Sequence, residues 1–223
     1  MRERIRDKMK HRIIPTVFAL NKEDFYKRFN KLIGITNYLQ IDFMDGKFVK
    51  AKSVKIEDVP DCHEYWGKFE AHLMARNPEK YIEKLKEKGF FRVIFHYEAL
   101  RNDNKIINLI SEIKRNRMKA VIAINPSTGL DKILGFLDRV NGVLFMGVNP
   151  GKENQKFIFS VYEKIAELRK INRKIEISVD GGVNFSNIGK LRDLGVNYIN
   201  SGGLISNSSN PKKMLKALKR AFR

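Results

Sequence analysis

Eight short apolar segments, rich in β-branched and aromatic residues, recur along the chain and alternate with stretches of helical periodicity. Such alternation is typical of a parallel sheet whose strands are joined by helical crossovers. Eight units in 223 residues fit one closed (β/α)8 barrel, the TIM barrel of the α/β class. The predicted strands are 13–19, 38–44, 68–74, 92–98, 119–125, 142–148, 175–181 and 197–204.

The helical stretches carry apolar residues at spacings of three and four, as in the row formed by Ile106, Leu109, Ile110 and Ile113. An open doubly wound sheet is the alternative architecture. No G-x-G-x-x-G motif follows the first strand, which disfavours a dinucleotide-binding fold. The predicted helices are 77–89, 102–116, 156–171, 184–195 and 210–222.

The chain has no Pro-, Gly- or Ser-rich linker, so we predict one barrel domain over residues 13–223 behind a basic extension of residues 1–12. No apolar run reaches the ~20 residues of a membrane-spanning helix, and the N-terminus does not resemble a secretory signal. The single cysteine, Cys62, excludes a disulfide within the chain. These features predict a cytoplasmic protein without a membrane partner.

The formal net charge is +19, from 44 Lys and Arg residues against 25 Asp and Glu residues. A field of this size attracts nucleic acid, membrane surfaces or phosphorylated metabolites. The basic residues are spread through all the helical stretches, whereas a nucleic-acid-binding module concentrates them on one face. The charge therefore favours solvated helix surfaces over a nucleic-acid partner, without excluding that partner.

Polar side chains gather at the carboxyl ends of the predicted strands, where (β/α)8 barrels carry their active sites. Strand alternation turns Gln40, Asp42, His72 and Asp180 toward the barrel axis. Two carboxylates and an imidazole in one pocket suit a divalent cation, and a buried hydrogen-bond network is the alternative.

Glycines follow the last two predicted strands, at Gly181, Gly182, Gly202 and Gly203. Glycine lets the backbone approach a ligand closely, and barrels often bind phosphate at this place. The glycines alone are a weak indication, because glycine also ends strands where a turn requires it.

Seven stretches, in order, resemble the motifs of the ribulose-phosphate 3-epimerase family, a ribulose-phosphate-binding (β/α)8 barrel of the pentose phosphate pathway. The resemblance runs from Ile13 to about Leu204. The stretches are IIPT, IDFMDGKFV, EAHLMARNPEKYI, IFHYEA, AINPSTGL, FMGVNPGKENQKFI and ISVDGGVN.

The resemblance implies interconversion of D-ribulose 5-phosphate and D-xylulose 5-phosphate by proton transfer at carbon 3. Asp42 and Asp180 would act as acid and base on opposite faces of that carbon, and both would bind a divalent metal. His72 would be a third ligand, and Gln40 occupies the position of a fourth. The metal would be Zn, Mn, Fe, Co or Mg and would stabilise the ene-diolate. The family also implies a homo-oligomer.

The same resemblance assigns further residues to the binding of the phosphorylated sugar. Methionines would line the reaction chamber, glycines would hold the phosphate, and a loop after the sixth strand would cover it. The residues implied are Thr16, Met44, His72, Met74, Met146, Gly151, Gln155, Gly181, Gly182, Gly202 and Gly203.

The sequence departs from the family motifs in three places. Gln40 replaces a histidine, and an amide oxygen is a poor ligand for zinc. The loop Gly151–Gln155 reads GKENQ where the family has GFGGQ, and Gly203 replaces a serine. Two alternatives therefore stay open, namely an epimerase of six-carbon ketose phosphates and a non-catalytic barrel that binds phosphate ligands or nucleic acid. His96 and Glu98 are expected to be structural.

Overall fold

The computed structural model describes residues 12–65 and 67–223. Eight parallel strands close into a barrel in the order of the chain, which confirms the predicted (β/α)8 architecture. The strands are β1 (Arg12–Val17), β2 (Tyr38–Met44), β3 (Lys68–Met74), β4 (Arg92–His96), β5 (Lys119–Ile124), β6 (Gly142–Met146), β7 (Glu176–Asp180) and β8 (Tyr198–Ser201). The predicted basic extension lies outside the described residues except for Arg12, which begins β1.

The helices surround the barrel. They are α1 (Lys22–Ile33), α2 (Ile82–Glu87), α3 (Tyr97–Leu100), α4 (Asp103–Arg115), α5 (Val161–Ile171), α6 (Ile188–Asp193), α7 (Gly203–Ser206) and α8 (Pro211–Ala221). None of these helices, within the described part of the chain, is long and apolar enough to cross a membrane.

Two crossovers differ from the predicted repetition of strand and helix. Among the described residues, the β2–β3 connection has only two short 3₁₀ turns, Ile56–Asp58 and Cys62–Glu64. The β5–β6 connection has one 3₁₀ segment, Leu130–Phe136. Pro60 in the first connection has no N–H for a helical hydrogen bond, and Gly129 and Gly135 in the second lower the helix propensity, which disfavours an α-helix in both segments.

Strand alternation separates two apolar cores. One face of each strand packs under the helices, as Leu39, Ile41 and Phe43 do on β2. The side chains of the other face fill the interior of the barrel, where a small apolar cluster lies against β4, β5 and β6. This inner cluster of apolar residues consists of Ile94, Val121, Ala123, Leu144, Met146 and Val148.

The strand register determines which polar residues meet on the barrel axis. Asp42 pairs with His72 across β2 and β3, and Gln40 pairs with Glu70 one layer below. Asp180 pairs with Asn200 across β7 and β8. The inward side chains of β2, β3, β7 and β8 therefore form stacked polar layers beneath the carboxyl ends of the strands.

Candidate active site

A cavity of about 640 Å³ opens at the carboxyl ends of the strands. It is lined by every residue predicted for the site except Gln40 and Met44. These lining residues are Thr16, Asp42, His72, Met74, Met146, Gly151, Gln155, Asp180, Gly181, Gly182, Gly202 and Gly203. Gln40 lies beneath the cavity floor and is completely buried. Met44 lines a separate, smaller cavity beside Ser53 and Tyr81.

Asp42, His72 and Asp180 form a buried group at the floor of the cavity, which we call the mouth cluster. Each offers a ligand atom, and these atoms lie within 4.8 Å of one another. His72 Nδ1 lies 3.0 Å from Asp42 Oδ1 and 3.3 Å from Asp180 Oδ2. Two carboxylates and one imidazole are a donor set that divalent metals accept, so the mouth cluster could bind such an ion.

The other nitrogen of His72 has a partner that orients the ring. His72 Nε2 lies 2.9 Å from His96 Nε2, and His96 Nδ1 lies 3.3 Å from Glu98 Oε2. Glu98 is in the first turn of α3 and not on the strand where it was predicted. The chain of contacts directs Nδ1 of His72 toward the carboxylates, as the outer partners of metal-binding histidines do. The surroundings therefore fit a metal ion.

Protonation in the mouth cluster follows from burial and from charge. Burial raises the pKa of Asp42 to about 6, although hydrogen bonding to His72 opposes the change. Burial disfavours the charged form of His72, but its hydrogen bonds to Asp180 and Asp42 raise its pKa to about 10. Burial lowers the pKa of His96 and outweighs its hydrogen bond to Glu98. Without a metal, an imidazolium at His72 therefore supplies the positive charge between the aspartates.

Gln40 uses the nitrogen of its amide group, and not the oxygen, toward the aspartates. Its Nε2 donates to Asp42 Oδ1 at 3.0 Å and to Asp180 Oδ2 at 2.7 Å. Its Oε1 accepts a hydrogen bond from Asn200 Nδ2, which also donates to Glu70. Since carboxylates only accept, the acids at both ends of this chain set the direction of both amides. Gln40 thus faces the mouth cluster as a donor.

One layer below lies a second group of charged residues, Glu70, Arg92 and Glu176, which we call the lower charged cluster. Arg92 pairs with Glu70 at 3.3 Å and forms a closer contact with Glu176. Glu70 and Arg92 are almost completely buried. The lower charged cluster thus carries a permanent cation, whereas the mouth cluster has only a titratable one.

The comparisons with known proteins agree with this geometry. The model of the ribulose-phosphate 3-epimerase family matches residues 12–205. This chain belongs to the ribulose-phosphate 3-epimerase family. Ribulose-phosphate 3-epimerase of Schizosaccharomyces pombe is 29% identical over 213 residues, covering 93% of this chain and 92% of the relative. The cytoplasmic isoform of ribulose-phosphate 3-epimerase of Oryza sativa subsp. japonica is 27% identical, and the alignment covers 94% of this chain and 93% of the relative.

Solved structures show the same fold at much lower identity. The 3-hexulose-6-phosphate synthase of Salmonella typhimurium aligns with a TM-score of 0.72 at 13% identity, covering 95% of this chain and 98% of its own. KGPDC of Streptococcus mutans aligns with a TM-score of 0.73 at 11% identity, and the alignment covers 96% of this chain and 98% of that structure's chain. These likenesses show the (β/α)8 barrel fold.

The loop after β6 differs from the epimerase motif and forms its own contacts. Gln155 donates through its amide to the carbonyl oxygens of Asn149 and Lys152, at 2.6 and 2.8 Å. Gly151 has a φ of +91°, and a Cβ there would lie 2.7 Å from Cβ of Val49. Gln155 therefore shapes the loop, and Gly151 is the residue that its turn requires.

Reasoning from the sequence missed several residues around the site. Strand alternation predicts that the side chains of Glu70, Arg92 and Asn200 face the barrel axis, but alternation does not predict which residues they contact. His96 was expected to be structural, and its contact with His72 connects it to the mouth cluster. An ion pair between Arg28 and Glu153, separated by 125 residues, had no sequence signal.

Proposed function

We propose that this protein is a sugar-phosphate 3-epimerase that interconverts D-ribulose 5-phosphate and D-xylulose 5-phosphate. Family membership supports the reaction class. The observation that carries the proposal is the pair of buried carboxylates, Asp42 on β2 and Asp180 on β7, which meet at the floor of the large cavity. An inversion of configuration at carbon requires one proton-transfer group on each face, and this pair supplies two.

Asp42, His72 and Asp180 would hold a divalent cation. When bound, the cation would neutralise negative charge that develops on the substrate oxygens next to carbon 3. Gln40 would not be a ligand, because its amide nitrogen faces the aspartates and its oxygen faces Asn200. The proposed ligand set is therefore three residues of this chain.

The proton transfers are assigned to the two aspartates. One carboxylate removes the proton from carbon 3, and the protonated form of the other delivers a proton to the opposite face. In the metal-free protein, burial raises the pKa of Asp42 to about 6, which brings its acid and base forms close in free energy near neutral pH. Gln40 donates one hydrogen bond to each carboxylate and so holds the pair in place.

Other groups on the cavity wall would bind and shield the sugar phosphate. Met74 and Met146 supply apolar surface beside the carboxylates, and Thr16 supplies a hydroxyl. Gly181 and Gly182 have φ values of +93° and +69°, so the backbone after β7 turns in a way that side-chain-bearing residues rarely adopt. Such glycine turns let backbone N–H groups approach a phosphate closely.

The test is a C3 epimerisation assay with D-ribulose 5-phosphate, run separately with Mg²⁺, Mn²⁺, Fe²⁺, Co²⁺ and Zn²⁺ after chelation. We expect turnover that depends on added metal. A folded, metal-loaded protein without turnover in any of the five would refute the proposal. A parallel assay with a six-carbon ketose phosphate determines chain-length preference, with higher kcat/KM expected for the five-carbon substrate.

A further inference from the structure

The loop after β6 places a carboxylate against the glycines that follow β8. A Cβ on Gly202 would lie 3.3 Å from Oε1 of Glu153, and one on Gly203 would lie 3.4 Å from the same oxygen. The Oδ1 atom of Asn154 would lie 3.1 Å from that second Cβ. Two side-chain oxygens of the loop thus occupy the space over this glycine turn, on the wall of the large cavity.

Arg28, on α1, holds the carboxylate in this position. Its Nη1 donates to both oxygens of Glu153 at 3.1 Å, and lies 3.4 Å from the hydroxyl of Ser206. Its Nε donates to both oxygens of Asp24, at 3.0 and 3.1 Å. The guanidinium is therefore anchored on its own helix by Asp24 and uses its other edge for Glu153.

The position of this carboxylate matters because of what barrels bind there. Phosphate sites in (β/α)8 barrels are frequently formed by the loops after strands seven and eight and by a short additional helix. Gly181, Gly182 and the Gly202–Gly203 turn that begins α7 supply these elements. A carboxylate and a phosphate are both anionic acceptors that seek the same backbone donors and the same arginine. They cannot occupy one position together, because like charges in contact repel strongly.

The carboxylate of Glu153 is also poorly solvated. Its side chain is only 18% exposed, and burial raises its pKa despite the opposing charge of Arg28. The adjoining Asn154 has a φ of +59°, a left-handed conformation that costs free energy for a residue with a side chain. Both observations indicate a loop conformation that an incoming anion can displace at modest cost.

We propose that Glu153 is an internal competitor for the phosphate group of the substrate. It occupies the phosphate position in the substrate-free protein and must leave before a sugar phosphate binds. Arg28 then exchanges the carboxylate for the phosphate, while Asp24 keeps the guanidinium in place. The inference rests on the proposed function only for the statement that the ligand is a phosphorylated sugar.

The test measures binding of inorganic phosphate to the full chain by isothermal titration calorimetry. Glu153→Gln keeps the shape of the side chain and removes its charge, so it should bind phosphate about tenfold more tightly than the wild type. Glu163→Gln removes the same charge from an exposed position on α5 and should leave phosphate affinity unchanged. Equal affinity in the wild type and Glu153→Gln, or weaker binding in the variant, would overturn the inference.

The role of Arg28 is tested in the Glu153→Gln background. Arg28→Met should lose the gain in phosphate affinity, and Arg28→Lys should retain part of it because the charge remains. Thermal unfolding of each variant shows whether the protein is folded at the temperature of the titration. A folded double variant with Arg28→Met that binds phosphate as tightly as Glu153→Gln alone would contradict the assignment of Arg28.

This experiment separates the inference from the proposed function, since it needs no turnover. Tighter phosphate binding in Glu153→Gln together with no C3 epimerisation would leave the inference standing and remove the proposed function. Normal epimerisation together with unchanged phosphate affinity in Glu153→Gln would support the proposed function and overturn the inference about Glu153. In an active enzyme, Glu153→Gln should lower the KM for the sugar phosphate more than it changes kcat.

Discussion

The mouth cluster and the lower charged cluster contain the same type of group in the same barrel, yet they are neutralised differently. In the lower charged cluster, the permanent cation of Arg92 lies between Glu70 and Glu176. In the mouth cluster, the cation between Asp42 and Asp180 is the imidazolium of His72. A guanidinium stays charged at every accessible pH, whereas an imidazolium can lose its proton to make room for a metal. The lower charged cluster therefore suits a structural role, and the mouth cluster suits metal binding and proton transfer.

Gln40 and Asn200 connect the two layers. Asn200 donates to both Glu70 and Gln40, and Gln40 donates to both aspartates. The acceptor-only carboxylates at the two ends fix every amide orientation between them. The lower charged cluster therefore influences the mouth cluster by determining which atom of Gln40 faces the aspartates.

The largest expected effect is a loss of activity when a carboxylate of the mouth cluster, and not one of the lower charged cluster, is replaced. Asp42→Asn and Asp180→Asn should each lower kcat by about 10²- to 10⁴-fold. The one remaining aspartate can transfer a proton on only one face of carbon 3, and an inversion requires a transfer on each face. Isotope exchange at carbon 3 measured by NMR should still show exchange from the face that retains its aspartate. Glu176→Gln, a half-buried carboxylate of the lower charged cluster, is the matched control and should keep most of the activity. Rates like the wild type in either aspartate variant would refute the assigned roles.

The next effect separates the clusters by stability. Arg92→Met should lower the free energy of unfolding by about 3–5 kcal/mol, because it leaves Glu70 buried without a cation. Urea denaturation measures this change. Lys84→Met breaks the exposed ion pair with Glu57 and should leave the free energy of unfolding nearly unchanged. If Arg92→Met were no more destabilising than Lys84→Met, the lower charged cluster would not be the structural element described above.

A smaller effect concerns the residue between the layers. Gln40→His replaces a donor to the aspartates by a possible ligand and should raise affinity for Zn²⁺ by about 10- to 100-fold. Calorimetric titration of the metal-free protein gives this number directly. Gln40→Leu removes the donor without adding a ligand and serves as the control. Unchanged zinc affinity in Gln40→His would mean that position 40 does not control metal binding.

The smallest effect, taken per pH unit, is the response of metal binding at the mouth cluster to pH. The pKa of His72 is raised from 6.5 to about 10, so the ring must release its proton when a metal binds. Metal affinity should therefore rise by up to about tenfold per pH unit between about pH 7 and 9. The sign is opposite for stability without metal. Because the folded-state pKa lies above the unfolded value, the contribution of His72 is full below pH 6.5 and is lost toward about pH 10.

Calorimetry in two buffers of different ionisation enthalpy measures the proton released on metal binding. The exposed His63 provides a control, since His63→Gln should change neither the metal affinity nor its pH dependence. His72→Gln should remove most of the pH dependence over the same range. A flat profile in the wild type would contradict protonation of His72 in the metal-free protein.

Much of the fold and part of the site could be predicted from local pattern. The bounds of β2 and β3 were predicted to the residue, and the (β/α)8 architecture is confirmed. Alternation turned Asp42, His72 and Asp180 inward, and the structure brings these three together. The helices predicted from periodicity leave out the two crossovers that lack an α-helix, but they also leave out α1, although Phe25, Phe29 and Leu32 repeat at helical spacing.

The sequence by itself determined the strands, their inward faces and the types of group that meet at the barrel mouth, because a strand repeats every two residues and parallel strands end at one edge. Only the tertiary structure decided the partners. The Asn200–Gln40 bond joins residues 160 apart, and the Arg28–Glu153 pair spans 125. Such contacts depend on barrel closure and strand register, which no local pattern specifies. They decide that Gln40 faces the aspartates as a donor and that a carboxylate covers the last glycine turn.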